Sequence, residues 1–179
     1  MGDFSQNGII SNLHDFGTKS TVDIEKELVK FSKERKMELI LPSLYSELKG
    51  DALPNIVKQI SETKYLNHII VGLDKASKAE AIKAWKFFKK LNKPFTILWN
   101  DGPRLKKLHE ELKEKDLAPS EMGKGRNVWY CLGMCIARDE ARSVALHDCD
   151  IKTYDRRMLA KLFYPVVNPF FNFEFCKGY

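Results

Sequence analysis

No part of this sequence offers the long apolar run that a membrane-spanning helix needs. Its first residues, Met1 to Asn12, are polar and lack the apolar core of a secretory signal. An intracellular, cytoplasmic protein with no membrane partner is therefore expected. Cysteine is scarce as well. Residues 131, 135, 149 and 176 form no Cys-x-x-Cys pair and have no histidine at ligand spacing, which speaks against a zinc site and against a disulfide framework. No glycine-rich dinucleotide fingerprint follows the first strand-like run, no Walker-type loop is present, and no Gly-x-Ser-x-Gly elbow or Cys-His pair points to hydrolysis. Strong charge of one sign is missing too. Thirty Lys and Arg against 24 Asp and Glu leave +6, and most lysines lie beside glutamates, as in Glu110-Glu111-Leu112-Lys113-Glu114-Lys115. Such runs read as solvated helix faces, and no nucleic-acid motif accompanies them, so no nucleic-acid partner is expected.

What is present is a chain of 179 residues, 44% apolar, enough for one α/β domain with a sizeable core. Ser20 or Thr21 can cap a helix from about Val22, carrying Ile24, Leu28 and Phe31 on one face. Met37 to Pro42 reads as a buried strand stopped by proline. The loop Ser43 to Asp51 then leads to a helix near Leu53, with Pro54 in its first turn. His68 to Asp74 and Phe95 to Trp99 are further strands, separated by a lysine-rich helix from Lys78 to Asn92. A charged helix from Leu105 to Lys115 follows the turn Asn100-Asp101-Gly102-Pro103. Another, capped by Asn127, runs from Val128 to Asp139, with Cys131 and Cys135 on its buried side. Ser143 to His147 is a fourth strand. The aromatic tail, interrupted by Pro165 and Pro169, suggests one more strand from Phe171 to Cys176. Strands alternating with helices imply βαβ units and a mainly parallel sheet, whose ligands bind beyond the carboxyl ends of the strands.

The chemistry-bearing residues fall at those ends. In Asp148-Cys149-Asp150 the carboxylates at i and i+2 share a face of the pleat, where two hard oxygen donors can hold Mg²⁺ or Mn²⁺ against substrate phosphates. The ion's task there is to neutralise charge on a diphosphate leaving group. Gly123-Lys124-Gly125 brings an ammonium and open backbone to a helix N-terminus, which suits phosphate, although by itself the motif reads more readily as a flexible turn. Glu47 and Asp74 can accept hydrogen bonds from a base or ribose, or serve as capping carboxylates. His14, His68 and His109 have no evident chemical role, and His147 adjoins the Asp pair but points to the other face of its strand.

Taken in order, Leu41-Pro42-Ser43-Leu44 with Glu47, Val71-Gly72-Leu73-Asp74 with Ser77, Gly123-Lys124-Gly125 and Asp148-Cys149-Asp150 resemble the glucosyl-3-phosphoglycerate synthase family over residues 37–179. These are retaining, metal-dependent glycosyltransferases of the GT-A fold. The resemblance implies a Rossmann-like, mainly parallel sheet flanked by helices. It implies Pro42, Leu44 and Glu47 around the nucleoside, Asp74 and Ser77 beside it, Lys124 at the diphosphate, and Asp148 and Asp150 at Mg²⁺ or Mn²⁺. UDP-glucose is then the donor and 3-phosphoglycerate, a small phosphorylated acid, the acceptor. Family members run further than this chain and carry their acceptor-binding residues and a histidine metal ligand in that further part. On this reading residues 37–179 are the nucleotide-sugar-binding domain, residues 1–36 are an N-terminal segment with a helix, the acceptor-binding half is lacking, and the chain binds donor without turnover.

Rival readings stay open at this stage. They are a polyprenyl- or dolichyl-phosphate sugar transferase, a mannosyl-3-phosphoglycerate synthase-like enzyme using GDP-mannose, and a non-catalytic nucleotide-binding module. The oligomeric state is open, with a homodimer among the candidates.

Overall fold

A computed structural model describes residues 10–12 and 19–178. Its centre is a four-stranded, wholly parallel sheet built from β2 (Met37–Leu44), β3 (Leu66–Asp74), β4 (Phe95–Trp99) and β5 (Ser143–Leu146), in the order β4-β3-β2-β5. The chain steps outward from β2 through β3 to β4, then returns to place β5 on the other side of β2. That reversal opens a crevice at the carboxyl ends of β2 and β5, where α/β sheets take their ligands. A second, two-stranded parallel sheet joins β1 (Ile10–Asn12) to β6 (Phe175–Lys177).

Side chains alternate across the sheet, and the two faces are covered unequally. Leu39 and Leu41 of β2, Ile69, Val71 and Leu73 of β3 and Ala145 of β5 enter the main core. They meet α1 (Thr21–Phe31), α2 (Ala52–Ser61), α3 (Lys78–Phe88) and α6 (Arg156–Val167) there. Leu53, Ile56, Val57 and Ile60 of α2 are all buried, each worth roughly 1.5–3 kcal/mol in apolar surface removed from water. Ile40 and Ile70, one residue out of phase, face the opposite way. They pack on Cys131 and Cys135 of α5 (Lys124–Arg138). The α1 residues Ile24 and Leu28 lie in the same core as the sheet.

Several boundaries differ from expectation for identifiable reasons. The first predicted strand runs past Pro42 to Leu44. The carbonyl of Ile40 accepts from His147 N–H, so Ile40 turns its backbone groups towards β5. Pro42, two residues on, points the same way, beyond the last β5 residue, and its missing N–H costs no ladder bond. The expected loop after it contains a 3₁₀ turn, Tyr45–Lys49. The lysine-rich helix ends at Phe88 and passes through a 3₁₀ turn to Asn92, whose φ of 51° closes the segment in the left-handed region. The charged helix, α4 (Pro103–Lys113), starts earlier than expected because Pro103 takes its first position.

The expected strand from Phe171 to Cys176 shrinks to β6. Phe171 and Phe173 are outside it, with Phe171 edge-on to both Tyr164 and Phe173. The helix α6 was concealed by Pro165, which reads as a breaker but sits in the last turn. There the bond it forfeits is to the Lys161 carbonyl, and the Cys176 thiol lies 4.0 Å from that oxygen.

Candidate functional site

The crevice holds a cavity of about 230 Å³. β2 contributes Pro42, Ser43 and Leu44, and the turn after it contributes Glu47. Asp74 and Lys75 come from the end of β3, Gly123, Lys124 and Asn127 from the start of α5, and Asp148, Cys149 and Asp150 from the turn after β5. Four separate segments thus deliver nearly every residue singled out in the sequence to one place. Ser77 is the exception. It is exposed, caps α3 by accepting from Glu80 N–H, and is not part of the cavity lining.

Glu47 is fixed by a hydrogen bond from Leu44 N–H to its carboxylate, 2.9 Å. Burial raises its pKa, and the negative charges of Asp150 and Asp148 push the same way, against the hydrogen bonds from Leu44 and Ser43. Asp74 is buried and accepts from Lys75 N–H at 3.1 Å, with the Arg126 guanidinium 4.0 Å away.

The helix α5 begins earlier than its apolar pattern suggested. Gly123 is its N-cap, with φ 138°, a conformation that side-chain-bearing residues rarely adopt. Lys124 and Gly125 occupy the first helical positions, so unpaired backbone N–H groups and the positive end of the helix dipole face the crevice, as an anion requires. The Lys124 ammonium is ion-paired with the Asp148 carboxylate across the cleft.

Asn127, expected as a helix cap, is instead inside α5 and only 3% exposed. Its Nδ2 donates to the Gly72 carbonyl at 2.8 Å, tying the start of α5 to β3. No periodicity marks Asn127. The usable signal was Gly72, since a glycine inside an apolar strand marks close approach of another group. His147 points away from the cavity as expected. It is buried, with Nδ1 2.8 Å from the Tyr154 hydroxyl, and burial lowers its pKa to about 4, so the ring is neutral at pH 7.

Asp148 and Asp150 put two carboxylates on the cavity, part-exposed and exposed respectively. Among the described residues no cluster of three His, Cys, Asp or Glu is arranged to hold a metal ion. A pair of carboxylates is the kind of donor set that a hard cation can use while it keeps open positions for water or phosphate oxygens. The ammonium already seated on Asp148 shows that this carboxylate is accessible to positive charge.

No family model matches the chain. The glucosyl-3-phosphoglycerate synthase of Persephonella marina is 45% identical over 179 residues, which is 100% of this chain and 44% of that protein. The enzyme of the same name from Methanococcoides burtonii is 35% identical over 171 residues, 95% of this chain and 42% of that protein. Nearly all of the chain is thus similar in sequence to proteins named glucosyl-3-phosphoglycerate synthase. It spans less than half the length of the curated relatives it matches. The crystal structure of glucosyl-3-phosphoglycerate synthase from Mycobacterium tuberculosis contains Mn²⁺, UDP and glucosyl-3-phosphoglycerate. It aligns with a TM-score of 0.55 at 16% identity, covering 88% of this chain and 47% of that one. That likeness shows the fold, so the expected α/β arrangement with a parallel sheet flanked by helices holds.

Proposed function

We propose that this chain forms the donor site of a metal-dependent retaining glycosyltransferase that moves glucose from UDP-glucose to 3-phosphoglycerate. The observation that carries the reading is the convergence of Lys124, the α5 N-terminus, Asp148 and Asp150 on one cavity at the sheet's switch point. The 45% identity to a protein named for this activity supports it. Pro42 and Leu44 would flank the nucleoside, with Glu47 and Asp74 accepting its hydrogen bonds. Lys124 and the first N–H groups of α5 would hold the diphosphate, and Asp148 and Asp150 would hold Mg²⁺ or Mn²⁺. Bound there, the cation would neutralise charge on the departing UDP. Ser77 would contribute by starting α3 beside Asp74, since its hydroxyl is engaged with Glu80.

Residues 37–179 constitute the donor domain in this proposal, with residues 1–36 an N-terminal segment whose helix α1 packs on it. A cytoplasmic location goes with it. Cys131 and Cys135, one turn apart on α5, are free thiols, which suits a reducing compartment. No described helix is long and apolar enough to cross a membrane.

Calorimetric titration with UDP-glucose and GDP-mannose, each with Mn²⁺ and with chelator, tests the reading. The expected result is Mn²⁺-dependent binding of UDP-glucose that Asp150→Ala weakens about tenfold or more, the scale of one charge-assisted contact. Binding of equal strength in chelator, or in the variant, rules the site out.

A further inference from the structure

Two proposed ligand contacts share the same atoms in the cleft. Asp148 is the proposed holder of a divalent cation and Lys124 the proposed holder of the diphosphate, yet in the structure they hold each other. We propose that Lys124 is an internal occupant of the cation site, released to the diphosphate when the cation arrives. The inference rests on the donor-site reading above and adds to it a coupling between cation and nucleotide.

Three features support it. The lysine is delivered from a fixed point, because the left-handed Gly123 cap sets where the first residue of α5 begins, and from there the ammonium reaches across to the turn after β5. The carboxylates it meets are crowded, since Glu47, Asp148 and Asp150 line one cavity and their negative charges repel one another. A positive charge at Asp148 relieves part of that repulsion in the free protein. The neighbouring cations are directed elsewhere or unengaged there. Arg126 faces Asp74, and Lys75, which lines the same cavity, forms no ion pair with Asp148.

It follows that the cation alone must displace an ammonium and binds weakly. When a diphosphate enters with it, the displaced Lys124 gains a new anionic partner. Cation and nucleotide therefore reinforce one another by more than their direct contact, and by linkage each raises the other's affinity by the same factor. Losing Lys124 has opposite effects on the two ligands, whereas a lysine that only contacted phosphate would affect the nucleotide alone.

The test measures Mn²⁺ binding by electron paramagnetic resonance, without nucleotide, in the wild type and in Lys124→Met, Lys75→Met and Asp150→Ala. UDP binding at saturating Mn²⁺ is then measured in the same proteins. Lys124→Met is expected to tighten Mn²⁺ alone by about threefold or more, the equivalent of an exposed ion pair, and to weaken UDP by about fivefold or more. Lys75→Met changes Mn²⁺ affinity by less than about twofold, because that lysine does not sit on Asp148. Mn²⁺ binding that depends on Asp150 but is unchanged or weakened by Lys124→Met overturns the inference and leaves the donor site standing. Equal tightening by Lys75→Met also overturns it, since net charge would then be the cause. Mn²⁺ binding indifferent to Asp150→Ala overturns both the inference and the donor site.

Discussion

Gly72 offers a sharp test of how the cleft is held together. A Cβ added there would lie 1.8 Å from Oδ1 of Asn127 and 2.6 Å from Sγ of Cys131, both far inside contact distance. Asn127 is 3% exposed, and its Nδ2 is bonded to the carbonyl of Gly72 itself, so it cannot turn aside without abandoning a buried acceptor. Gly72→Ala therefore either pushes α5 off the sheet or breaks that bond. Overpacking of a tight core costs about 1–3 kcal/mol, and an unpaired buried carbonyl costs a similar amount, so a loss of about 2–4 kcal/mol is expected. Asn127→Ala alone should cost about 1–3 kcal/mol through the lost bond. In the double variant the closest clash is gone, while Cys131 still obstructs the new methyl. Gly72→Ala should then cost about 1–2 kcal/mol less than it does in the wild type. Urea denaturation of the four proteins gives the cycle directly. Costs that add within about 0.5 kcal/mol would mean that Gly72 and Asn127 do not meet as described.

Thiol chemistry and pH dependence supply two further tests. Cys131, Cys135 and Cys149 are buried, and burial pushes the first two thiols up to about 12, so at pH 8 a colourless disulfide reagent should modify the half-buried Cys176 quickly and the other three only in denaturant. Rapid reaction of Cys131 or Cys135 in the native chain contradicts the packing of α5 on the sheet, and rapid reaction of Cys149 contradicts the burial of the turn after β5. His68 is buried on β3 beside Thr96, and burial, aided by the Arg138 charge, lowers its pKa below the ordinary 6.5. The unfolded chain then takes up the proton first. The stability His68 contributes is present above pH 6.5 and is lost as pH falls towards the lowered value. His68→Gln should lose less stability than the wild type between pH 7 and pH 5, and parallel curves would show that the histidine is not buried in its neutral form.

What the sequence revealed and what it hid divide along a physical line. The strand cores and the carboxyl-end residues were legible because burial on both faces of a parallel sheet produces continuous apolar runs, with the polar residues that follow them left at the crevice. Residues 95–99 and the end of β3 at Asp74 were placed without error on that basis, whereas the fourth strand stops at Leu146 rather than His147, so Asp148 and Asp150 stand on the turn after it and not on one face of its pleat. The misses share a cause, in that each depends on which neighbour a backbone group faces. Pro42 reads as a stop until it is known that β5 ends before reaching it, and Pro165 reads as a breaker until its place in a final turn is known. Asn127 is the instructive case. As a polar residue before an apolar run it has the signature of a helix cap, and the cap is in fact Gly123, four residues earlier. The lone turn of polar sequence between them, Lys124-Gly125-Arg126, is helical because Asn127 is tied to Gly72 and Arg126 faces Asp74. Those two contacts pull the start of α5 over the end of β3. The early start in turn puts Lys124 within reach of Asp148, so the arrangement of the candidate site depends on a tertiary contact that no pattern around Asn127 encodes and that only Gly72, in another strand, signals.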